Sequence, residues 1–229
     1  MQLLHPRWDD DPPGVGRRGR WFTLQYRIAE GGFGVVYRGR DRNGVLAAIK
    51  ILQNDDDGRH AERKARFERE VAFLKDLRHP RVPELIESHL GMGAKWLAVR
   101  YVPGPTLHDL VRRHRPLPAA AVVWIGADLA DTLVRVHDLG VHRDVKPPNV
   151  LITLDGAELI DFGLAHLHHA VPITRYDEVV GTWAYMPDER ILPTALPGNR
   201  EDPVDVFGVG GVMLYALTGR APSPSGRRP

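Results

Sequence analysis

Apolar residues in this chain follow one period before Pro103-Gly104-Pro105 and another after it, and that break constrains the fold more than any other feature. Proline removes a backbone donor and glycine frees φ, so the tripeptide interrupts regular structure and reads as a linker between two lobes. Before it, WFTLQYRI, VVYRGR and VLAAIKIL, between residues 21 and 52, read as three antiparallel strands. GGFG breaks the first pair, and Asn43-Gly44 predicts a type I′ turn in the second, because both central positions of that turn need positive φ. Residues 85–90 and 96–102 complete the sheet, and residues 59–77 carry Phe67, Val71 and Leu74 at helical spacing.

After the break, Val122, Ile125, Leu129, Leu133 and Val136 keep a helical period from Pro118 until Gly140. VLIT and AELI read as a short hairpin across Asp155-Gly156, and residues 203–218 are apolar nearly all round, which predicts a buried helix. Residues 1–20, rich in Pro, Gly, Arg and Asp, read as a flexible lead-in. The expected organisation is a small lobe over 21–102, a large lobe over 103–221 and a disordered tail over 222–229.

Of 229 residues, 43% are hydrophobic and 26% charged, a globular balance, and a formal net charge of +2 is too slight to point to nucleic acid or a membrane surface. The absence of cysteine rules out disulfides, a thiol nucleophile and Cys-ligated zinc, and suits a reducing compartment. MQLLHPRWDDDPPG has no apolar stretch of signal-peptide length, and no window reaches the ~18 apolar residues of a membrane helix. The expectation is a soluble, cytoplasmic chain.

Ala29-Glu30-Gly31-Gly32-Phe33-Gly34 at the tip of the first two strands would let backbone N–H groups approach phosphates, although a plain glycine-rich bend reads the same way. Lys50 sits in the otherwise apolar strand Ala47–Leu52, where an ammonium is costly unless it meets anions. Glu70 on the following helix is a candidate partner; spacing alone equally admits a solvated edge lysine and an exposed glutamate. Then come Val141-His142-Arg143-Asp144-Val145-Lys146-Pro147-Pro148-Asn149 and Asp161-Phe162-Gly163.

These segments together resemble the catalytic loop and metal-binding segment of eukaryotic-like protein kinases of the bacterial serine/threonine type. The Gly-rich loop, Lys50, Glu70, the Pro-Gly exit, Gly181-Thr182…Glu189 and Asp205 follow in the order of that family, over about residues 21–221. The resemblance implies an α+β, two-lobed protein-kinase-like fold: a small antiparallel-sheet lobe with one helix, and a mainly helical large lobe, incomplete at its C-terminus. It implies transfer of the ATP γ-phosphate to protein Ser/Thr hydroxyls, with ATP and Mg²⁺ as cofactors and a protein substrate as partner.

By that resemblance Asp144 is the catalytic base and Lys146 neutralises the transferring phosphoryl group. Asn149 and Asp161 hold metal ions, Lys50 contacts the α and β phosphates, Glu70 holds Lys50, and Asp205 anchors the catalytic loop. An ordinary ionised carboxylate at Asp144 suffices. Adenine would lie between the lobes, under Val36 and Ala48 and above Leu151, with Val99 guarding the back pocket and the backbone of Arg100, Tyr101 and Val102 offering hydrogen bonds. His142, Phe162, Leu74 and Leu85 form the implied apolar column. Lys146-Pro147 and Thr182 mark the serine/threonine branch. Arg143 suggests control by a phosphate on the activation loop, with Thr174 at acceptor spacing.

The chain departs from the pattern at Ala29, where the family has its first loop glycine, and at Pro187-Asp188-Glu189, where it has Ala-Pro-Glu. It also stops at Pro229, so a truncated kinase is expected, with apolar surface on residues 203–218 facing water. The alternatives are a noncatalytic kinase-like module that binds a nucleotide or partner, and a small-molecule phosphotransferase.

Overall fold

The computed structural model describes residues 14–17, 20–31, 34–52, 60–114, 116–167, 183–187 and 202–222. They fall into two compact units, Met1–Val71 with Glu84–Val102, and Ala72–Pro83 with Pro103–Pro229.

The first unit is a six-stranded sheet in the order β1-β2-β3-β4-β6-β5, every neighbouring pair antiparallel. Its strands are β1 (Gly14–Arg17), β2 (Arg20–Gly31), β3 (Gly34–Asp41), β4 (Leu46–Ile51), β5 (Leu85–His89) and β6 (Trp96–Arg100). Alternate residues of one face, among them Phe22, Leu24, Ala47, Ile49, Trp96 and Ala98, form a core of their own. Phe22 on β2 meets Trp96 on β6 edge-on at 6.2 Å, although β3 and β4 lie between them in the sheet. That contact requires the sheet to curl, which twisted strands do readily. The opposite face receives Phe67 and Val71 of helix α1 (His60–Asp76) against Leu52 and Leu97.

Three sequence expectations change here. Residues 14–17 are a strand, so the lead-in is shorter than 1–20; Val15 pairs opposite Phe22 and packs on the core, a role that a single apolar residue between glycines does not announce. The Asn43-Gly44 hairpin is not type I′, because only Gly44 has positive φ (83°). Asp41 accepts Gly44 N–H on its carbonyl, and its side-chain Oδ1 accepts the N–H groups of Asn43 and Val45, both at 2.9 Å. This carboxylate-capped three-residue loop ending on a left-handed glycine matches the right-handed strand twist as a primed turn does. Third, Ala72–Pro83 belongs with the large unit: Phe73 stacks on Phe162, Arg81 pairs with Asp128 at 2.9 Å, and the Arg81 carbonyl accepts Leu159 N–H.

The second unit contains α2 (Leu107–His114), α3 (Ala119–His137), β7 (Gly140–Val141), β8 (Val150–Thr153), β9 (Gly156–Leu159), β10 (His166–Leu167) and α4 (Asp202–Thr218). Helix α2, unforeseen from hydrophobic period, opens on a capping box: Thr106 Oγ1 accepts Asp109 N–H and donates to Asp109 Oδ2. The predicted stripe of α3 is buried as expected, and α3 packs on α4. Helix α4 is not buried all round. Val204, Asp205, Gly208, Gly211, Val212, Tyr215 and Ala216 are buried, whereas Val206, Phe207, Leu214 and Leu217 are exposed, because α3 and the loop after β7 cover one face only. The hairpin β8–β9 turns through Leu154 and Asp155, and Pro105 O accepts Ile152 N–H, so the linker tripeptide lies along β8.

Gly34 shows how closely the β3–β4 pair is built. Its φ is +129°, and a Cβ there would stand 2.2 Å from the Ile51 carbonyl oxygen. Gly34→Ala is expected to lose about 1–3 kcal/mol of unfolding free energy from backbone strain, seen as a lower urea midpoint at unchanged m. An unchanged midpoint would show that strand β4 simply moves aside.

Candidate active site

In the small unit, β4 is an interior strand, with Lys50 opposite Val36 on β3 and Leu97 on β6. Its ammonium reaches the Glu70 carboxylate of α1 at 2.8 Å, with side-chain exposures of 11% and 5%. This excludes the solvated-edge alternative for both residues. A buried pair of this kind is a poor source of stability, since desolvation opposes its attraction, so its persistence calls for another reason. Val36, Ala48 and Val99 are half-buried and stand on the same sheet face as Lys50, because directly paired residues of neighbouring strands share a face. Ala29 pairs with Val36, Glu30 with Val35 and Gly31 with Gly34; Gly32 and Phe33 lie outside the described residues.

Beyond β6, Arg100 N–H donates to the Glu84 carbonyl and Tyr101 N–H to the Leu46 carbonyl. Two of the N–H groups in Arg100–Val102 are therefore already used in closing the sheet.

In the large unit, the catalytic-loop candidates converge. Asp205, in the first turn of α4, accepts His142 N–H on Oδ2 at 2.8 Å and Arg143 N–H on Oδ1 at 2.7 Å. His137 of α3 adds a third contact, Nε2 to Asp205 Oδ2 at 2.9 Å. The close approach depends on Gly208, one turn along α4, where a Cβ would sit 2.8 Å from the Val145 carbonyl oxygen. Arg143 is thereby held at φ +68°, an uncommon left-handed conformation for a side-chain-bearing residue.

Asp144 follows, nearly fully buried. Lys146 Nζ lies 2.8 Å from its Oδ2, and Asn149 Nδ2 donates to the same oxygen at 2.8 Å and to the Asp144 carbonyl at 2.9 Å. The other carboxylate oxygen, Oδ1, is buried without a hydrogen-bond partner among the described residues. Burial raises the Asp144 carboxyl above its ordinary 3.8, Lys146 pulls it down, and the negative charge of Asp161 pushes it up again. The ordinary carboxylate expected there is therefore a perturbed one.

Asn149 O accepts Ile160 N–H, which ties Asp161 to the same loop. Asp161 is exposed, at φ +64°, with Gly163 N–H 3.4 Å from its Oδ1. Leu151 is half-buried on β8 and bridges to Thr106. Phe162 is buried edge-on against His142 at 4.6 Å and stacked on Phe73 at 5.5 Å. Phe73 joins Phe162 as a ring that the expected column did not include; Leu74 is buried, and Leu85 lies in the small unit. Thr182, Thr174 and Glu189 lie outside the described residues.

The protein kinase domain matches residues 22–228 as a family. The chain belongs to that family. Its kinase domain is 34% identical to the serine/threonine-protein kinase AfsK of Streptomyces coelicolor over 213 residues, 93% of this chain and 26% of that protein. It is 32% identical over 226 residues to the probable serine/threonine-protein kinase PkwA of Thermomonospora curvata, covering 96% of this chain and 29% of that one. With the serine/threonine-protein kinase PknL of Mycobacterium tuberculosis it shares 33% identity over 207 residues, 88% of this chain and 50% of PknL. The chain thus spans about a quarter to a half of these relatives. Protein kinases use ATP and a divalent metal.

The donor chemistry at the loop fits such a metal. Among the described residues no cluster of three or more His, Asp or Glu side chains is set to hold an ion alone. Asp161 and the amide oxygen of Asn149 are hard oxygen donors, and Mg²⁺ characteristically combines one or two protein oxygens with water and phosphate. The mutual repulsion of Asp161 and Asp144 is the kind of charge a cation relieves. No helix among the described residues is long and apolar enough to cross a membrane.

Sequence reasoning missed His137 and Phe73. His137 sits on the predicted α3 period with no local sign that it faces a carboxylate 68 residues away. Its hydrogen bond to Asp205 raises its pKa above the ordinary 6.5. A histidine raised in the folded state contributes stability that is full below its unfolded pKa and lost as pH rises through the folded value. Melting temperature should therefore fall above pH 6.5 in the wild type, and His137→Gln should flatten that slope. Equal slopes would remove the His137–Asp205 ion pair from the account.

Proposed function

We propose that this chain is an ATP-dependent serine/threonine protein kinase domain. The observation that carries the reading is the Asp144 carboxylate, with Oδ2 committed to Lys146 and Asn149 and Oδ1 buried and unpartnered among the described residues. A buried acceptor without a donor is costly, and a substrate hydroxyl is a donor that would satisfy it. Asp144 Oδ1 accepts the Ser or Thr O–H, aims its oxygen at the γ-phosphorus and takes the proton as the new P–O bond forms. The bond to the β–γ bridging oxygen breaks and ADP leaves. Lys146 lies against the transferring group and neutralises its charge. Lys50, oriented by Glu70, contacts the α and β phosphates, and the glycine loop from Ala29 to Gly34 covers them.

Asn149 and Asp161 would hold Mg²⁺, which when bound supplies charge neutralisation of the phosphate oxygens. For the base, Val36, Ala48, Val99 and Leu151 provide apolar contact. With Arg100 and Tyr101 N–H groups already used, Val102 supplies the backbone donor and the Arg100 carbonyl an acceptor. Lys146-Pro147 and Thr182 favour Ser/Thr over Tyr acceptors. ATP supply and the absence of cysteine suit a cytoplasmic setting.

Labelled ATP, Mg²⁺ and a generic basic protein should give incorporation that Asp144→Asn lowers about 10²–10⁴-fold. Lys50→Met should keep the fold and lose transfer. Nucleotide binding without transfer would instead indicate a kinase-like binding module, and transfer only to small molecules would indicate a small-molecule phosphotransferase.

The pH profile adds a second check. The base must be ionised, so kcat/KM should fall as pH drops through the Asp144 pKa, which burial holds above 3.8. Lys146→Ala removes the cation that lowers that pKa, so the acid limb should move to higher pH in addition to the loss of rate. A limb that stays in place would separate Lys146 from Asp144 ionisation.

A further inference from the structure

Arg38 belongs to none of the roles above. On β3 it stands two residues beyond Val36, directly opposite Ala48 on β4, and Ala48 stands opposite Val99 on β6. The cross-strand row Tyr26, Arg38, Ala48, Val99 therefore lies on one sheet face, the face that carries Lys50 and the residues assigned to the base. The Arg38 guanidinium carbon is 5.5 Å from the centre of the Tyr26 ring and 5.3 Å from that of Tyr101. One of its nitrogens donates to the Gln25 side-chain carbonyl. The neighbouring Tyr26 hydroxyl, with burial, raises the Tyr101 phenol above its ordinary 10.0, so the hydroxyl stays protonated.

An arginine with no task on this open face of an interior strand would extend into solvent and sample rotamers freely. This one is confined by two rings and an amide, and one of the rings belongs to the middle residue of Arg100–Val102. Tyr101 N–H makes only a long bond, 3.3 Å, to Leu46 O, so the backbone there needs a second restraint to keep its neighbours in one conformation.

We propose that Arg38, clasped between Tyr26 and Tyr101, is a positioning residue that holds the Arg100–Val102 backbone in the conformation a nucleotide base reads. The inference rests on the kinase reading and deepens it: base affinity depends on a cation–π clasp outside the phosphate and metal machinery. The proposed phosphate contact at Lys50 and proton transfer at Asp144 should be untouched.

The test uses the whole chain, a fluorescent ADP analogue and steady-state kinetics with ATP. Arg38→Ala should weaken analogue binding and raise KM for ATP about 3- to 10-fold, with kcat within about twofold. Arg38→Lys, which keeps a cation over the rings, should restore most of the affinity, whereas Arg38→Met, which keeps only the stem, should not. Tyr101→Leu should produce a similar loss, and the double variant should lose no more than either single one. Equal affinity in wild type and a folded Arg38→Ala, or full rescue by Arg38→Met, would overturn the clasp and leave the kinase reading intact. Absence of analogue binding by the wild-type chain would overturn both.

Discussion

The Asp205 carboxylate is the hinge of the large unit's chemistry. Two backbone N–H groups, from His142 and Arg143, point at its two oxygens, and His137 closes on one of them. Charge-assisted bonds of this type are about twice as strong as neutral ones, which is enough to hold Arg143 at positive φ against the steric preference of an L-residue. That turn sends Asp144 into a buried position, where Lys146 and Asn149 meet one oxygen and no described residue meets the other. Within His142–Val145 the local restraint is one long bond, Asp144 N–H to His142 Nδ1 at 3.2 Å, so the carboxylate under the loop supplies most of what holds this conformation. Strain at Arg143, beside the proposed base, is sustained by a helix about 60 residues downstream, and Gly208 lets that helix come close enough.

The small unit solves a different problem by sheet register. Pairing Val36 with Lys50 and Arg38 with Ala48 separates a self-contained core on one face from a functional row on the other. A slip of one residue would bury Ala48 and Lys50 in the Phe22–Trp96 core and turn Ile49 outward, so the register is strongly specified. Asp41 and Gly44 set that register at one end of the β3–β4 pair, and Gly34 permits close backbone approach at the other.

Much of this was legible in the residues. Lys50 in an apolar strand announced a buried partner, and Glu70 is that partner. The α3 stripe appears where its period put it, and the β8–β9 hairpin forms with its turn one residue earlier than Asp155-Gly156, at Leu154-Asp155, because Gly156 pairs with Thr153. What escaped had no apolar period to announce it. Val15 carries too little apolar weight to mark a strand by itself, and Thr106-Leu-His-Asp109 signals its helix by capping residues and not by a hydrophobic period. Phe73 against Phe162 and His137 against Asp205 are separated by 89 and 68 positions, and one-dimensional periodicity says nothing about which distant side chains meet.

The amino-acid sequence by itself determined most element types, the break at Pro103-Gly104-Pro105 and the inventory of charged groups, because period, turn chemistry and the cost of burying a charge are all local properties. Tertiary structure alone decided which oxygen of Asp144 stays unpaired, which donors of Arg100–Val102 are already consumed, that residues 72–83 side with the helical unit, and that Arg38 is clasped between two tyrosines. Those outcomes depend on through-space geometry between segments far apart in the chain, where a fraction of an ångström separates a hydrogen bond from an orphaned atom.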